Sequence, residues 1–466
     1  MTDPPRLHSV RAALYRPVDG AGLAAFRILF GLMMCAGVVR FMANGWIDRF
    51  YGQPDFFFKY WGFAWVPVPP VPALYALFGV LAAAALGIAL GAFYRVAAAV
   101  FFLGFTYAQL LDVTGYLNHY YLVCLLALLL VFAPLHRTWS VDAWRKPARA
   151  GRGTVPAWAM WILRLQLGVV YFYAGLAKLE VDWLLHAQPL NLWFMARTET
   201  PIIGPLLAEP WVAYAASWSV FLFELAAVPL LLWSRSRPYL YAVIIGFHAM
   251  THVFFDIGMF PFIMVVAATV FFAPDWPRRW LRGRARPAPA PAHEAAAVPV
   301  AHDRARALGL AALAVFAAVQ LLLPLRHYLY PGGVTWNEEG MRWSWKVMLR
   351  EKHGSVTYHV RTPGSERALQ VSPRKYLAGR QAREMASQPD LILQLAHHIA
   401  RDFRARGHGQ VEVRAEALVS LNGRPARPMI DPEVDLARVD DSLAPKPWIL
   451  PEPPDPPIQL RARRLP

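Results

Sequence analysis

Apolar runs long enough to cross a lipid bilayer recur along this chain as far as residue 323, and no other feature constrains its fold as strongly. A helix needs about 20 residues to cross the hydrocarbon core, and fewer where protein buries its ends. Within lipid every backbone N–H and C=O must be paired inside the segment, so such runs are expected as helices. Nine are read, at residues 21–43, 72–94, 96–111, 116–135, 156–177, 211–233, 238–255, 257–273 and 307–323. The third and eighth are short enough to turn back within the membrane as hairpins. The first follows a polar arm of about twenty residues and lacks a small-residue cleavage site, so it does not read as a cleaved signal peptide. Composition agrees: 56% of the 466 residues are hydrophobic and 17% charged, with a mean hydropathy of +0.31. A soluble domain carries about 25% charge. Intrinsic disorder and an ordinary water-soluble enzyme are both excluded.

The net charge of +16 belongs to membrane topology and not to nucleic-acid binding, because the basic residues lie between the apolar runs. With the N-terminus in the cytoplasm, inside segments hold eighteen Lys and Arg, among them Arg6, Arg11, Arg16, Arg95, Arg145, Lys146, Arg235 and seven arginines from 278 to 306. The outside connections hold four: Arg49, Lys59, Lys178 and Arg197. Nine crossings then put the C-terminal part outside. The two cysteines, Cys35 and Cys124, fall in apolar runs, and no CxxC or Cys/His zinc spacing exists, so no metal is expected.

The reading divides the chain into an N-terminal cytoplasmic arm (1–20), a helical membrane part with the site (21–275), a cytoplasmic loop (276–306), a last span (307–323) and an extracytoplasmic α+β domain (324–466). Residues 283–306 are rich in Pro, Ala and Arg and read as a disordered loop. In the tail, 356–361 and 410–419 alternate like strands. Between them, Leu391, Leu395, Ile399 and Phe403 recur with the spacing of an amphipathic helix over 389–405. The proline-rich end reads as an extended arm.

Ionisable side chains inside spans are costly and are functional candidates by default. They are Arg27, His119, Arg164, Glu224, His248 and His252, with Lys178 at a helix end. The assigned topology places His119, Lys178 and the His248/His252 pair at one level near the outer surface. Arg27, Arg164 and Glu224 lie deeper and read as structural ion pairs between spans. Lys178 reads equally as a snorkelling anchor, and His119 as a helix-end hydrogen-bonding residue. The stretch Tyr171 to Ala177 before the lysine is uncharged, so desolvation would favour a neutral amine able to act as a base. Glu180 and Asp182 would oppose that.

Several segments, taken together in order and spacing, resemble the vitamin K-dependent γ-glutamyl carboxylase family and its bacterial homologues with an HTTM-type membrane domain. They are Tyr116-Leu117-Asn118-His119-Tyr120-Tyr121, Trp139-Ser140-Val141-Asp142, Tyr173-Ala174-Gly175-Leu176-Ala177-Lys178-Leu179-Glu180-Val181-Asp182-Trp183, Phe247-His248, Ile257-Gly258-Met259-Phe260-Pro261 and Leu323-Pro324-Leu325-Arg326-His327. The resemblance covers most of residues 20–275 and the start of the tail. It implies a helical membrane domain with an extracytoplasmic, partly β domain.

The resemblance also implies a reaction. Reduced vitamin K, a naphthohydroquinone, is deprotonated and oxygenated by O₂ to the 2,3-epoxide. The strong base formed on the way removes the γ-proton of a protein glutamate, and the carbanion adds CO₂. Water must be kept out, since it would quench both species. By the same resemblance Lys178 is the base for the hydroquinone and His119 stabilises charge near glutamate and CO₂. Asn118 and Tyr116 are carried as substrate-binding residues, with Tyr116 standing where the animal enzymes have tryptophan; His248 lies in a matching segment and is a substrate-binding candidate, with no role carried over from the family. The implied partners are a glutamate-containing protein and membrane lipid, with no nucleic acid. A bacterial inner membrane is the expected location, with the N-terminus cytoplasmic and the tail periplasmic. Two alternatives stand beside this reading: a quinol epoxidase or oxidoreductase without carboxylation, and a non-enzymatic quinone- or lipid-binding transporter or scaffold.

Overall fold

The computed structural model describes residues 5–149, 153–255, 257–281 and 300–461. Helices stand at all nine apolar stretches: α1 (Ala21–Ala43), α2 (Val71–Leu90), α3 (Tyr94–Leu110), α4 (Asn118–Phe132), α5 (Ala157–Ala177), α6 (Pro210–Leu232), α7 (Arg237–Phe254), α8 (Phe260–Ala268) and α9 (Val300–Leu322). Among the described residues five are long and apolar enough to cross a membrane by length and composition: α1, α2, α5, α6 and Arg304–Leu329, which takes in most of α9 and the turn after it. Nine crossings are therefore more than length and composition establish. The helix α4 has 15 residues, about 22 Å of rise against a hydrocarbon core of about 30 Å. The helix α8 has nine residues and continues only as a 3-10 turn, Thr269–Phe271.

Small residues set the helix contacts. A Cβ on Gly31 of α1 would meet Ala89 N at 2.5 Å and Ala85 O at 2.6 Å, so α1 and α2 touch backbone to backbone there. Such close approach is how helices gain packing energy where lipid removes the hydrophobic drive. The helix α5 is the innermost of the five, with 78% of its apolar window buried. Near the chain start, Pro17–Asp19 (β1) pairs antiparallel with Thr154–Pro156 (β2), with Val18 opposite Val155, which ties the N-terminal arm to the start of α5. Most of the expected loop 283–306 lies outside the described residues, which resume at 300. Its last part is not loop, because α9 begins at Val300 and residues 300–306 continue into the apolar run as helix.

The tail folds on one four-stranded antiparallel sheet of order β4-β3-β5-β6: β3 (Lys352–Arg361), β4 (Ala368–Val371), β5 (Glu412–Leu421) and β6 (Arg427–Pro428). Alternation buries Val356, Tyr358 and Val360 on β3 and Val413, Ala415, Ala417 and Val419 on β5. Two helices, α10 (Gly379–Met385) and α11 (Pro389–Ala405), accompany the sheet. Leu391, Leu395, Ile399 and Phe403 of α11 join the sheet residues in one core. Each large apolar side chain so buried contributes about 1.5–3 kcal/mol relative to exposure. Phe58, Tyr60 and Val113 from the helical part belong to the same core, so the tail is seated on the loops between helices.

Two charged contacts fasten that seam. Arg424 holds Asp182 through two nitrogens, at 2.6 and 2.8 Å, and Asn422 donates to the same carboxylate at 2.9 Å. Burial alone would raise the Asp182 carboxyl, but these donors outweigh it and hold it below its usual value. The Lys346 Nζ lies 2.8 Å from Glu180 Oε1. The extended chain end is held by Gln188 donating to Ile458 O at 2.9 Å and by Asn191 bonding both N and O of Leu460. Arg424→Ala leaves the half-buried Asp182 without its cation, at an expected cost of about 3 kcal/mol. That corresponds to roughly hundredfold faster proteolytic cleavage of the seam when opening is in rapid equilibrium. Unchanged cleavage would show the pair to be incidental.

Within the tail, Lys352 is buried against the Trp336 ring and lies 3.2 Å from Glu338 Oε1. Burial pushes its amine down to about 8 from 10.5, against the pull of Glu338. The folded protein therefore binds fewer protons than the unfolded chain between those values, and stability contributed by this site rises with pH across that window. The stability of wild type relative to Lys352→Met is expected to climb between pH 8 and pH 10.5. A flat difference in melting temperature would contradict it.

Candidate active site

The site grows from the C-terminal end of α5. A Cβ on Gly175 would meet Leu225 Cδ2 at 2.8 Å and Leu225 N at 3.0 Å, so α5 and α6 approach as closely as backbones allow. That approach brings Lys178, the residue capping α5, onto Glu224 of α6, with Nζ 2.7 Å from Oε2. Lys178 is 2% exposed. Its remaining N–H bonds are directed at Ala174 O, 3.3 Å away, and Val347 O, 3.4 Å away, and its ammonium sits 5.0 Å from the Trp183 ring centre. The indole is fixed in turn, its Nε1 donating to Ser217 O at 2.9 Å. An ion pair this dry keeps its partners in fixed positions, since separation would strand two charges in low dielectric.

The lysine is thus not the solitary amine that its uncharged neighbours suggested. Glu224, expected in an ion pair that ties spans together, pairs with Lys178 and so joins α6 to α5. Among the described residues Arg27 and Arg164 make no such pair. Arg27 donates to Trp139 O at 2.5 Å, and Arg164 to the carbonyls of Val270, Phe271 and Phe272 at the end of α8. Glu180 and Asp182 point away to the tail, so neither opposes the amine directly.

Lys178 and Glu224 line a cavity of about 290 Å³ between α5, α6 and α7. His248 and Tyr171 line it too, and both are buried. Neither imidazole nitrogen of His248 nor the Tyr171 hydroxyl has a hydrogen-bond partner among the described residues. Unpartnered buried polar atoms are costly, and a ligand that bonds them recovers that cost. Apart from Thr251 the rest of the wall is mostly apolar, including Val220, Met250 and Phe254. The His248/His252 pair does not act together: His252 lies exposed against Phe262, while only His248 faces the cavity.

A second cavity of about 540 Å³ lies beside the first and is lined by Asn118, His119, Arg40, Arg49, Asp112, Arg380 and Glu384. His119 is 6% exposed, and its Nε2 has no partner among the described residues. Tyr116 is not on the wall. Its hydroxyl donates to Asn118 Oδ1 at 2.9 Å and accepts from Trp343 N–H at 2.7 Å, so it orients the asparagine. Arg380 and Glu384 come from α10 in the tail, and Gln381 of that helix donates to Asp112 at 2.7 Å and to Phe56 O at 2.9 Å. Burial raises the Glu384 carboxyl, with Arg380 pulling the other way. The tail is thus part of this wall, which no local pattern in the sequence announces. Lys178 and His119, expected at one level near the outer surface, line different cavities, and the two cavities share Phe260, Val347 and Met348.

Residues 15–276, more than half of the chain, match the HTTM domain family, and residues 305–455 match the vitamin K-dependent gamma-carboxylase, lumenal domain. No solved structure matches the chain.

Proposed function

The chain belongs to the vitamin K-dependent gamma-carboxylase family, as an integral membrane protein, and from that premise we propose that it couples oxidation of reduced vitamin K to carboxylation of glutamate in a protein substrate. The observation that carries this reading is the buried Lys178–Glu224 pair at the polar end of an otherwise apolar cavity. Its size suits a bicyclic head group, near the lower end for small-molecule pockets at roughly 300 Å³. The unpartnered His248 nitrogens and Tyr171 hydroxyl are groups that the two hydroxyls of a naphthohydroquinone would satisfy. When bound and oxygenated by O₂, that hydroquinone supplies the strong base and ends as the 2,3-epoxide.

The protein's own residues then have separate tasks. Lys178 takes a hydroquinone proton. To do so it first passes its own proton to Glu224, a transfer along the 2.7 Å contact that turns the ion pair into a neutral amine and a neutral acid. His248 orients the ring. In the larger cavity the guanidinium groups of Arg40, Arg49 and Arg380 offer a glutamyl carboxylate its counter-charge. His119, with Nε2 free, stabilises charge at the γ-carbon and CO₂. Asn118 binds beside it in an orientation set by Tyr116. The apolar walls keep water from the reacting centre.

The reading includes nine crossings, a cytoplasmic N-terminus and a periplasmic tail in a bacterial inner membrane. It is supported by the alternation of basic residues between apolar runs. The test gives the purified protein a reduced naphthoquinone, ¹⁴CO₂ and a Glu-containing peptide. Epoxide together with labelled peptide is the expected result. Epoxide without label would mean a quinol epoxidase, and neither product with quinone bound would mean a binding protein.

A further inference from the structure

The two cavities meet at a wall of three residues, Phe260, Val347 and Met348. The Phe260 ring centre lies 5.8 Å from that of His119 and 5.6 Å from that of His248. One phenyl ring therefore lies against two imidazoles, each with an unpartnered nitrogen among the described residues. The other half of the wall is backbone. Val347 O accepts from Lys178 Nζ, and Met348 has a φ of 50°, a left-handed value rare for a side chain of its size. Trp343 and Trp345 are left-handed as well, with φ of 65° and 59°. This strained segment is pinned by stacking of Trp343 on Tyr60 and of Trp345 on Tyr121, with ring centres 5.8 and 5.1 Å apart.

The chambers differ in kind on either side. One has exposed arginines at its lining and the other is almost wholly apolar around a dry ion pair. We propose that the Phe260 ring and the Val347–Met348 backbone form a barrier one ring thick that keeps the water of the arginine-lined chamber out of the Lys178 chamber until a glutamyl side chain fills the former, the ring then turning aside so that the base formed on the quinol reaches the γ-carbon, and that this couples quinol oxidation to carboxylation. The barrier rests on geometry alone, and the coupling rests on the quinol reading given above. Phe260 is in this sense a positioning residue.

Two measurements separate these parts. In the full-length protein carrying Cys35→Ala and Cys124→Ala, single cysteines are introduced as Gln109→Cys in the larger chamber and Thr251→Cys in the smaller one. Each is exposed to a permanently charged thiol reagent without quinone. Modification at position 109 is expected to outpace that at 251 by about tenfold or more, and Phe260→Ala is expected to speed the reaction at 251 about tenfold while leaving 109 unchanged. Equal rates with Phe260 present, or no acceleration in Phe260→Ala, overturn the barrier. Phe260→Leu serves in the same way if the alanine variant does not fold. The second measurement is the ratio of epoxide formed to CO₂ fixed, expected to rise about threefold or more in the opened variant as water competes for the base. An unchanged ratio in a variant whose barrier has opened overturns the coupling. A wild-type protein that forms no epoxide removes the quinol reading, and with it the coupling, while the labelling result still decides the barrier.

Discussion

Lys178→Ala is expected to abolish epoxide formation, by a factor of about 10³ or more, in a protein that still folds and inserts. Loss of activity alone would not assign the role, because alanine also leaves Glu224 buried without its cation. Lys178→Arg decides the point. Arginine preserves the positive charge beside Glu224, but it stays protonated at any working pH and cannot take a proton from a hydroquinone. If Lys178 is the base, the arginine variant is as inactive as the alanine variant while its melting temperature stays near wild type. Turnover near wild type in Lys178→Arg would mean that only the charge matters and would remove the base assignment. Both variants should be assayed for quinone binding, which is expected to survive, since most of the cavity wall is apolar and untouched.

His119→Ala is expected to divide the two products. Carboxylated peptide should fall by about 10² while quinone affinity changes no more than about twofold, because the imidazole lines the larger chamber and not the one holding Lys178. The ring is nearly buried, its Nε2 has no partner among the described residues, and it lines the chamber, so its loss removes a polar group from that wall. Normal labelled-product yield in His119→Ala would contradict the role. An equal fall in epoxide and label, with quinone affinity lost, would place His119 in the quinol chamber instead.

Much of the fold was legible before any coordinates. The first apolar run matches α1 at both ends, and the amphipathic spacing of Leu391, Leu395, Ile399 and Phe403 marks α11 over its full length. These succeed because burial in lipid or against a sheet imposes a period on neighbouring residues. The eighth run is short in the sequence and yields only the nine-residue α8, whereas the fourth, 116–135, reads as a full span and yields a helix of only 15 residues. Among the site residues, Lys178, His119, Asn118 and His248 all reach a cavity. Glu224 was visible as a carboxylate in a span, yet its partner was not, because the closeness of α5 to α6 depends on Gly175 meeting Leu225.

By itself the sequence determined that this chain lives in lipid and which costly side chains it carries there. Each of those facts follows from the price, residue by residue, of placing apolar or charged groups in hydrocarbon. Only the tertiary structure decided how those side chains are partnered and partitioned. The Lys178–Glu224 pair, the arginine and glutamate lent by α10, and the wall of Phe260 and Val347–Met348 between two chambers join segments far apart in the chain. Such contacts arise from close helix approach, from a tail seated on interhelical loops and from a left-handed tryptophan segment held by stacking, and none of these leaves a period in the sequence.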